Sequence, residues 1–156
     1  MEQSCIVVRE MTPNDAETVN KLSKQLGYPL SPGQTLQNIN AVLRRRDHTA
    51  FVAEYENRII GWIGAAQAIM IEVMPHCEIN GLVIDEHCRG IGIGRVLIEK
   101  LKGWEKARGN GKIVLHCKVK RRDAHSFYRH LDFIEARQQT NFTTIFKDHK
   151  RTQPFL

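Results

Sequence analysis

The sequence predicts an α/β fold: one mixed, mostly antiparallel sheet with about four helices. Three observations predict it. Runs rich in β-branched and aromatic residues alternate with segments of 3.6-residue apolar period, in the order β-α-α-β-β-β-α-β-α-β-β. Short turn signals join the early strands, which makes them antiparallel neighbours. A glycine-rich link then leads from a strand into a helix and on to another strand, the pattern of a central βαβ crossover. With 156 residues and no repeat or linker, the chain reads as one domain over 1–156.

Each element has a local reason. Ser4–Arg9 is a short β-rich run. Thr12-Pro13 supplies an N-cap followed by proline at the first helical position. Ala16, Val19, Leu22 and Leu26 follow at helical spacing, and Gly27 closes that helix. Ser31-Pro32-Gly33-Gln34 is a capping box, and Leu36, Ile39, Val42 and Leu43 form the stripe of a second helix. Arg44, Arg45 and Arg46 stand near its C-terminus, where cations favour the dipole.

Ala50–Tyr55 and Arg58–Gln67 read as a hairpin about Glu56-Asn57. Ala68–Pro75 is either a strand extension or a loop, and Cys77–Ile84 is the next β-rich run. Ile93, Leu97, Leu101 and Trp104 then mark one face of a helix over Ile93–Arg108, ended by Gly109-Asn110-Gly111. Lys112–Cys117 is a strand, and Asp123 opens a short helix carrying Phe127, Tyr128 and Leu131. Phe133–Ala136 and Phe142–Phe146 are expected as final strands.

A net charge of +6 favours an anionic partner: nucleic acid, a membrane surface or a phosphorylated small molecule. No helix-turn-helix, zinc-finger or RNA-binding aromatic signature accompanies the basic Lys118–Arg122, which argues against nucleic acid as the primary partner. No apolar run reaches 18 residues and the amino end lacks a signal peptide's pattern, so a cytoplasmic chain with no membrane partner is expected. His76-Cys77, His87-Cys88 and His116-Cys117 are adjacent pairs. Strand neighbours point to opposite faces, and zinc-site spacings are missing, so no metal is expected.

Arg89-Gly90-Ile91-Gly92-Ile93-Gly94-Arg95 lies between a strand and a helix. A helix start presents unpaired N–H groups and a positive dipole end, and glycines let a phosphate approach them. The stretch therefore reads as an anion cradle, most simply for a diphosphate. It lacks the Gly-Lys-Ser/Thr of a P-loop and the spacing of a dinucleotide fingerprint. It satisfies a third pattern, [QR]-x-x-G-x-[GA].

With that pattern, the chain from Glu78 to Phe133 resembles the GNAT superfamily of acyl-CoA-dependent N-acetyltransferases. The likeness takes in the apolar strand, the Arg89–Gly94 loop, the helix behind it and the Ala124-His125-Ser126-Phe127-Tyr128 segment. The resemblance implies a splayed sheet whose strands Ile79–Ile84 and Ile113–Cys117 diverge to admit acetyl-CoA as cosubstrate. Backbone of Leu82, Val83 and Ile84 would pair with its pantetheine arm. Arg89, Gly90 and the amides of Ile91, Gly92, Ile93, Gly94 and Arg95 would hold its diphosphate.

By the same resemblance, Tyr128 would protonate the leaving thiolate. Glu78 is either the general base or a strand-end carboxylate facing solvent or an ion pair, with Glu72 and His76 in reserve. Members often carry an asparagine that bonds the cofactor, where alignment puts Lys118. Lys120–Arg122 lies in a segment resembling the aminoalkylphosphonate N-acetyltransferases. The expected reaction is acetyl transfer to the primary amine of a small molecule by direct attack in a ternary complex, with a homodimer the common family assembly. The alternatives are a regulatory relative that binds CoA without turnover, or a basic nucleic-acid-binding module.

Overall fold

The structure, a computed structural model, describes residues 5–116, 122–136 and 139–146. The chain forms two units, Met1–His116 and Cys117–Leu156.

In the first unit β1 (Val7–Glu10) leads through a 3-10 turn at Pro13–Asp15 into α1 (Ala16–Lys24) and α2 (Pro32–Leu43). Then come β2 (His48–Tyr55), β3 (Arg58–Ala68), β4 (His76–Ile84), α3 (Ile93–Lys106) and β5 (Ile113–Leu115). The five strands form one sheet in chain order. The first three pairings are antiparallel, and β4 with β5 is parallel. That parallel pair, joined through α3, is the predicted βαβ crossover. Glu56 and Asn57 both have positive φ, 49° and 61°, as a two-residue hairpin turn matched to strand twist requires.

One sheet face packs against α1 and α2 through Met11, Ala16, Val19, Leu22, Ile39, Ala50, Val52, Ile59 and Val83. On α3, Ile93, Leu97, Ile98 and Leu101 are at most 1% exposed, each worth about 1.5–3 kcal/mol of burial. This burial fixes where α3 begins, and so where the glycine loop sits.

Ser31 caps α2: its Oγ accepts from the Gln34 N–H at 3.2 Å, and Gln34 Oε1 accepts from the Ser31 N–H at 2.9 Å. The buried face of α2 differs from the predicted stripe. Thr35 and Ile39 are buried, while Leu36 and Leu43 stand exposed. Buried Asn20 explains the rotation, because its amide donates to Thr35 Oγ1 at 2.9 Å and to the Leu30 carbonyl at 2.7 Å. A buried amide without such acceptors would cost about 1–3 kcal/mol.

A charged cluster ties the start of α1 to the sheet. Arg9 donates to both oxygens of Asp15 at 2.8 Å, and to Glu54 at 2.7 and 2.9 Å. Burial alone would raise the Asp15 carboxyl, but Arg9 and the Thr12 N–H outweigh it and hold the carboxyl below its usual range. The folded value lies below the unfolded one, so the stabilisation is complete above the unfolded value near pH 4 and drains away as pH falls through the folded value. Urea unfolding across pH 2–7 should show this slope, and Asp15→Asn should flatten it and cost about 2–3 kcal/mol at neutral pH.

In the second unit, α4 (Arg122–His130) carries Tyr128, and the Phe133 N–H closes back on the Tyr128 carbonyl at 3.1 Å. Phe133–Ala136 and Phe142–Phe146, expected as strands, are not strands. Among the described residues the ladders join only β1 to β5, and Ile134, Phe142 and Phe146 are 80–92% exposed. Apolar β-formers become a strand only with a partner ladder and a face to bury.

Candidate functional site

The glycine loop is positioned from both ends. The Asp85 N–H donates to the Ile60 carbonyl at 2.9 Å, which ties the end of β4 to β3. Asp85 Oδ1 then accepts from the His87 N–H, and Cys88 is buried. Beyond exposed Arg89, Gly90 and Gly92 have φ of +82° and +88°. A Cβ at Gly90 would meet nothing within 4 Å, so conformation rather than space selects glycine there. Gly92 is the N-cap of α3, and the Val96 N–H closes the first helical bond on its carbonyl at 3.2 Å. The amides of Ile93 and Gly94 precede that bond, in the turn where a helix leaves N–H groups unsatisfied. Buried Ile93 anchors the turn, while Arg95 is exposed beside it.

On β4, Leu82, Val83 and Ile84 pair with Ile63, Trp62 and Gly61 of β3. The opposite edge pairs with β5 only through Cys77↔Ile113, Glu78↔Val114 and Ile79↔Leu115. Beyond Ile79, β4 has no partner on that side among the described residues, and after a register shift that leaves Asn80 unpaired with β3 it leads on toward the glycine loop. A strand edge offers alternating N–H and C=O groups to an added chain. An elongated molecule with an anionic end can thus pair along Leu82–Ile84 while its phosphates meet the α3 N-terminus. Both features fit acetyl-CoA.

Glu78 and His76, two residues apart on β4, point to one face. The His76 Nδ1–H donates to the Met74 carbonyl at 3.0 Å, and its Nε2 is hydrogen-bonded with Glu78 Oε1 at 3.1 Å. His116 Nε2 stands 3.9 Å from the same Glu78 oxygen. Sequence reading does not find His116. The signal lies in the register: Glu78 opposes Val114, so His116, two residues on, returns to the Glu78 face.

Exposed Glu72 has no ion pair with His76 or Glu78 among the described residues. Lys118 lies outside the described residues. Tyr128, half-buried in the second unit, makes edge-on ring contacts with Phe127 at 5.2 Å and Phe133 at 5.9 Å. Buried Cys77 has its thiol pushed up to about 12 by burial and the Glu105 carboxylate, so it stays protonated and poorly nucleophilic. Among the described residues no His, Cys, Asp and Glu group is arranged to hold a metal, and no helix is long and apolar enough to cross a membrane. Cavities of about 310 and 300 Å³ both touch Arg108, beyond the far end of α3, and neither includes the glycine loop or Glu78.

Comparison with known proteins gives this geometry a context. A Bacillus subtilis (strain 168) protein named as the uncharacterized N-acetyltransferase YhdJ is 33% identical over 94 residues, 60% of this chain and 66% of its own length. The match thus spans about two thirds of that relative. The aminoglycoside 6'-N-acetyltransferase AAC(6')-IG of Acinetobacter haemolyticus shares the fold, with a TM-score of 0.79 at 16% identity over 90% of this chain and 99% of its own. So does aminoglycoside N-acetyltransferase AAC(6')-Iy, solved in complex with CoA, with a TM-score of 0.81 at 17% identity over 89% and 94% of the two chains. The acetyltransferase (GNAT) family model matches residues 16–133, which take in the glycine loop, β4, β5 and α4, and the chain belongs to that family.

Proposed function

We propose that the chain, working as one domain over residues 1–156, is an N-acetyltransferase that moves an acetyl group from acetyl-CoA to the primary amine of a small molecule. The observation that carries this reading is the Gly90–Gly94 loop at the start of α3, reached from a β4 edge whose β5 pairing ends at Ile79 among the described residues. Leu82, Val83 and Ile84 would hold the pantetheine arm. Arg89, Arg95 and the amides of Ile91 to Gly94 would hold the diphosphate, with Lys118 a further contact. Acetyl-CoA supplies the activated thioester carbonyl that the amine attacks.

Glu78 takes the proton that an ammonium must lose before it can attack. Tyr128 gives its phenolic proton to the departing thiolate, as a phenol still protonated at pH 7 can. No cysteine carries the acetyl group, in keeping with the inert Cys77. The family's common homodimer and a cytoplasmic setting complete the reading.

A thiol-release assay over a panel of primary amines tests it, with mass spectrometry of the product. Amino sugars head the panel, because AAC(6')-Iy is an aminoglycoside N-acetyltransferase. We expect steady release with at least one amine, and a fall of about tenfold or more in kcat for Tyr128→Phe. Unchanged turnover in that variant would remove the tyrosine from the mechanism. Tight CoA binding with no turnover on any amine would point to a regulatory protein.

A further inference from the structure

We propose that His116 is the proton exit of the site: it takes from Glu78 the proton that Glu78 takes from the amine, and releases it to solvent. The inference rests on reading Glu78 as the general base.

A base that has collected a proton must lose it before the next turnover. Glu78 has two imidazoles near one oxygen, Oε1, and they differ in what lies behind them. His76 is a closed end. It is 4% exposed, and its Nδ1–H already donates to the Met74 carbonyl, which accepts a hydrogen bond but does not carry a proton onward. With Nδ1–H held by that carbonyl and the ring buried, a proton taken up at Nε2 has no water-facing nitrogen from which to leave. His76 therefore orients the Glu78 carboxylate and leads no further.

His116 is the open end. Its side chain is 62% exposed, against 23% for Glu78, and its Nε2 stands 3.9 Å from Glu78 Oε1. One bridging water, or a small rotation of an exposed ring, closes that distance. A neutral imidazole nitrogen carries a lone pair that can take the proton from a carboxylic acid.

The protons balance. The ammonium N–H bond breaks as the Glu78 O–H bond forms. That O–H bond then breaks as His116 Nε2–H forms, returning Glu78 to its carboxylate. The imidazolium passes the proton to water or buffer.

The test uses the full chain, acetyl-CoA and an amine that turns over in the panel. His116→Ala should lower kcat by about tenfold and leave KM for acetyl-CoA within twofold. Added imidazole should restore kcat in His116→Ala in a dose-dependent way, and should do nothing for Glu78→Gln. His116→Gln, which keeps a polar side chain without a basic nitrogen, should stay as slow as His116→Ala and respond to imidazole likewise. Thermal unfolding of each variant checks that the fold is intact.

Full activity in His116→Gln would overturn the proton role and leave a structural one. So would a slow His116→Ala that imidazole does not rescue. If His116→Ala is as fast as the parent while Glu78→Gln is slow, Glu78 is the base and sheds its proton directly to water. If Glu78→Gln is also fast, or no amine turns over, the reading of Glu78 falls and the exit falls with it.

Discussion

Glu78→Gln should lower kcat at pH 7 by about 10²–10⁴-fold while leaving KM for acetyl-CoA nearly unchanged. The size follows from the nucleophile. An alkylammonium with a pKa near 10.4 is free amine in only about one molecule in 10³ at pH 7, so without a base the reaction runs on that fraction alone. The amide keeps the shape of the carboxylate, and as both donor and acceptor it can still hydrogen-bond His76 Nε2. The fold and the proposed cofactor contacts, which start four residues further along β4 at Leu82, should therefore survive.

The loss should also shrink with pH. The variant's rate should climb about tenfold per pH unit toward the amine's pKa, because the medium then does the deprotonation. Stopped-time thiol release from pH 6.5 to 9.5 measures both. A fall of less than threefold at pH 7, or a gap that does not close at high pH, would mean that Glu78 is a strand-end carboxylate and not the base.

Much of the fold was legible because its signals are local. Ser31 and Gln34 are three residues apart and cap each other as the pattern says. Glu56-Asn57 turns as a two-residue hairpin loop because the strands flanking it demand positive φ. The glycine loop was legible for the same reason: helix start, glycines and arginines are contiguous in sequence.

What was not legible depends on partners far along the chain. Arg9 meets Glu54 across 45 residues, a contact that β1–β2 register creates and no motif announces. His116 reaches Glu78 only because β4 and β5 pair in parallel with Glu78 opposite Val114, and a slip of one residue would turn His116 to the other face. Phe142–Phe146 has the composition of a strand, yet Phe142 and Phe146 stay exposed, because composition does not supply a neighbour. Leu36 faces outward for a subtler reason: buried Asn20 needs Thr35, and a polar demand sets the rotation of an apolar stripe.

Gly92→Val should weaken CoA binding by about 10–100-fold and cost about 1–3 kcal/mol of stability. Two effects combine at this position. Gly92 has φ of +88°, where a β-branched residue is strained. As the N-cap of α3 it also borders the Ile93 and Gly94 amides, so a side chain here relaxes the turn away from left-handed geometry and turns those amides from the anion.

Gly90→Ala separates strain from crowding. Gly90 has φ of +82°, but its added methyl meets nothing within 4 Å. It should lose stability on the order of 1 kcal/mol with a smaller loss of affinity. Arg89→Ala leaves the backbone untouched and removes one charge, so its loss should diminish as salt rises, whereas that of Gly92→Val should persist. Calorimetric titration of CoA at low and high salt, with thermal unfolding of each variant, distinguishes the three. CoA binding as tight in Gly92→Val as in the parent would mean that the α3 amides do not hold the diphosphate, and the exposed arginines would then have to supply the affinity on their own.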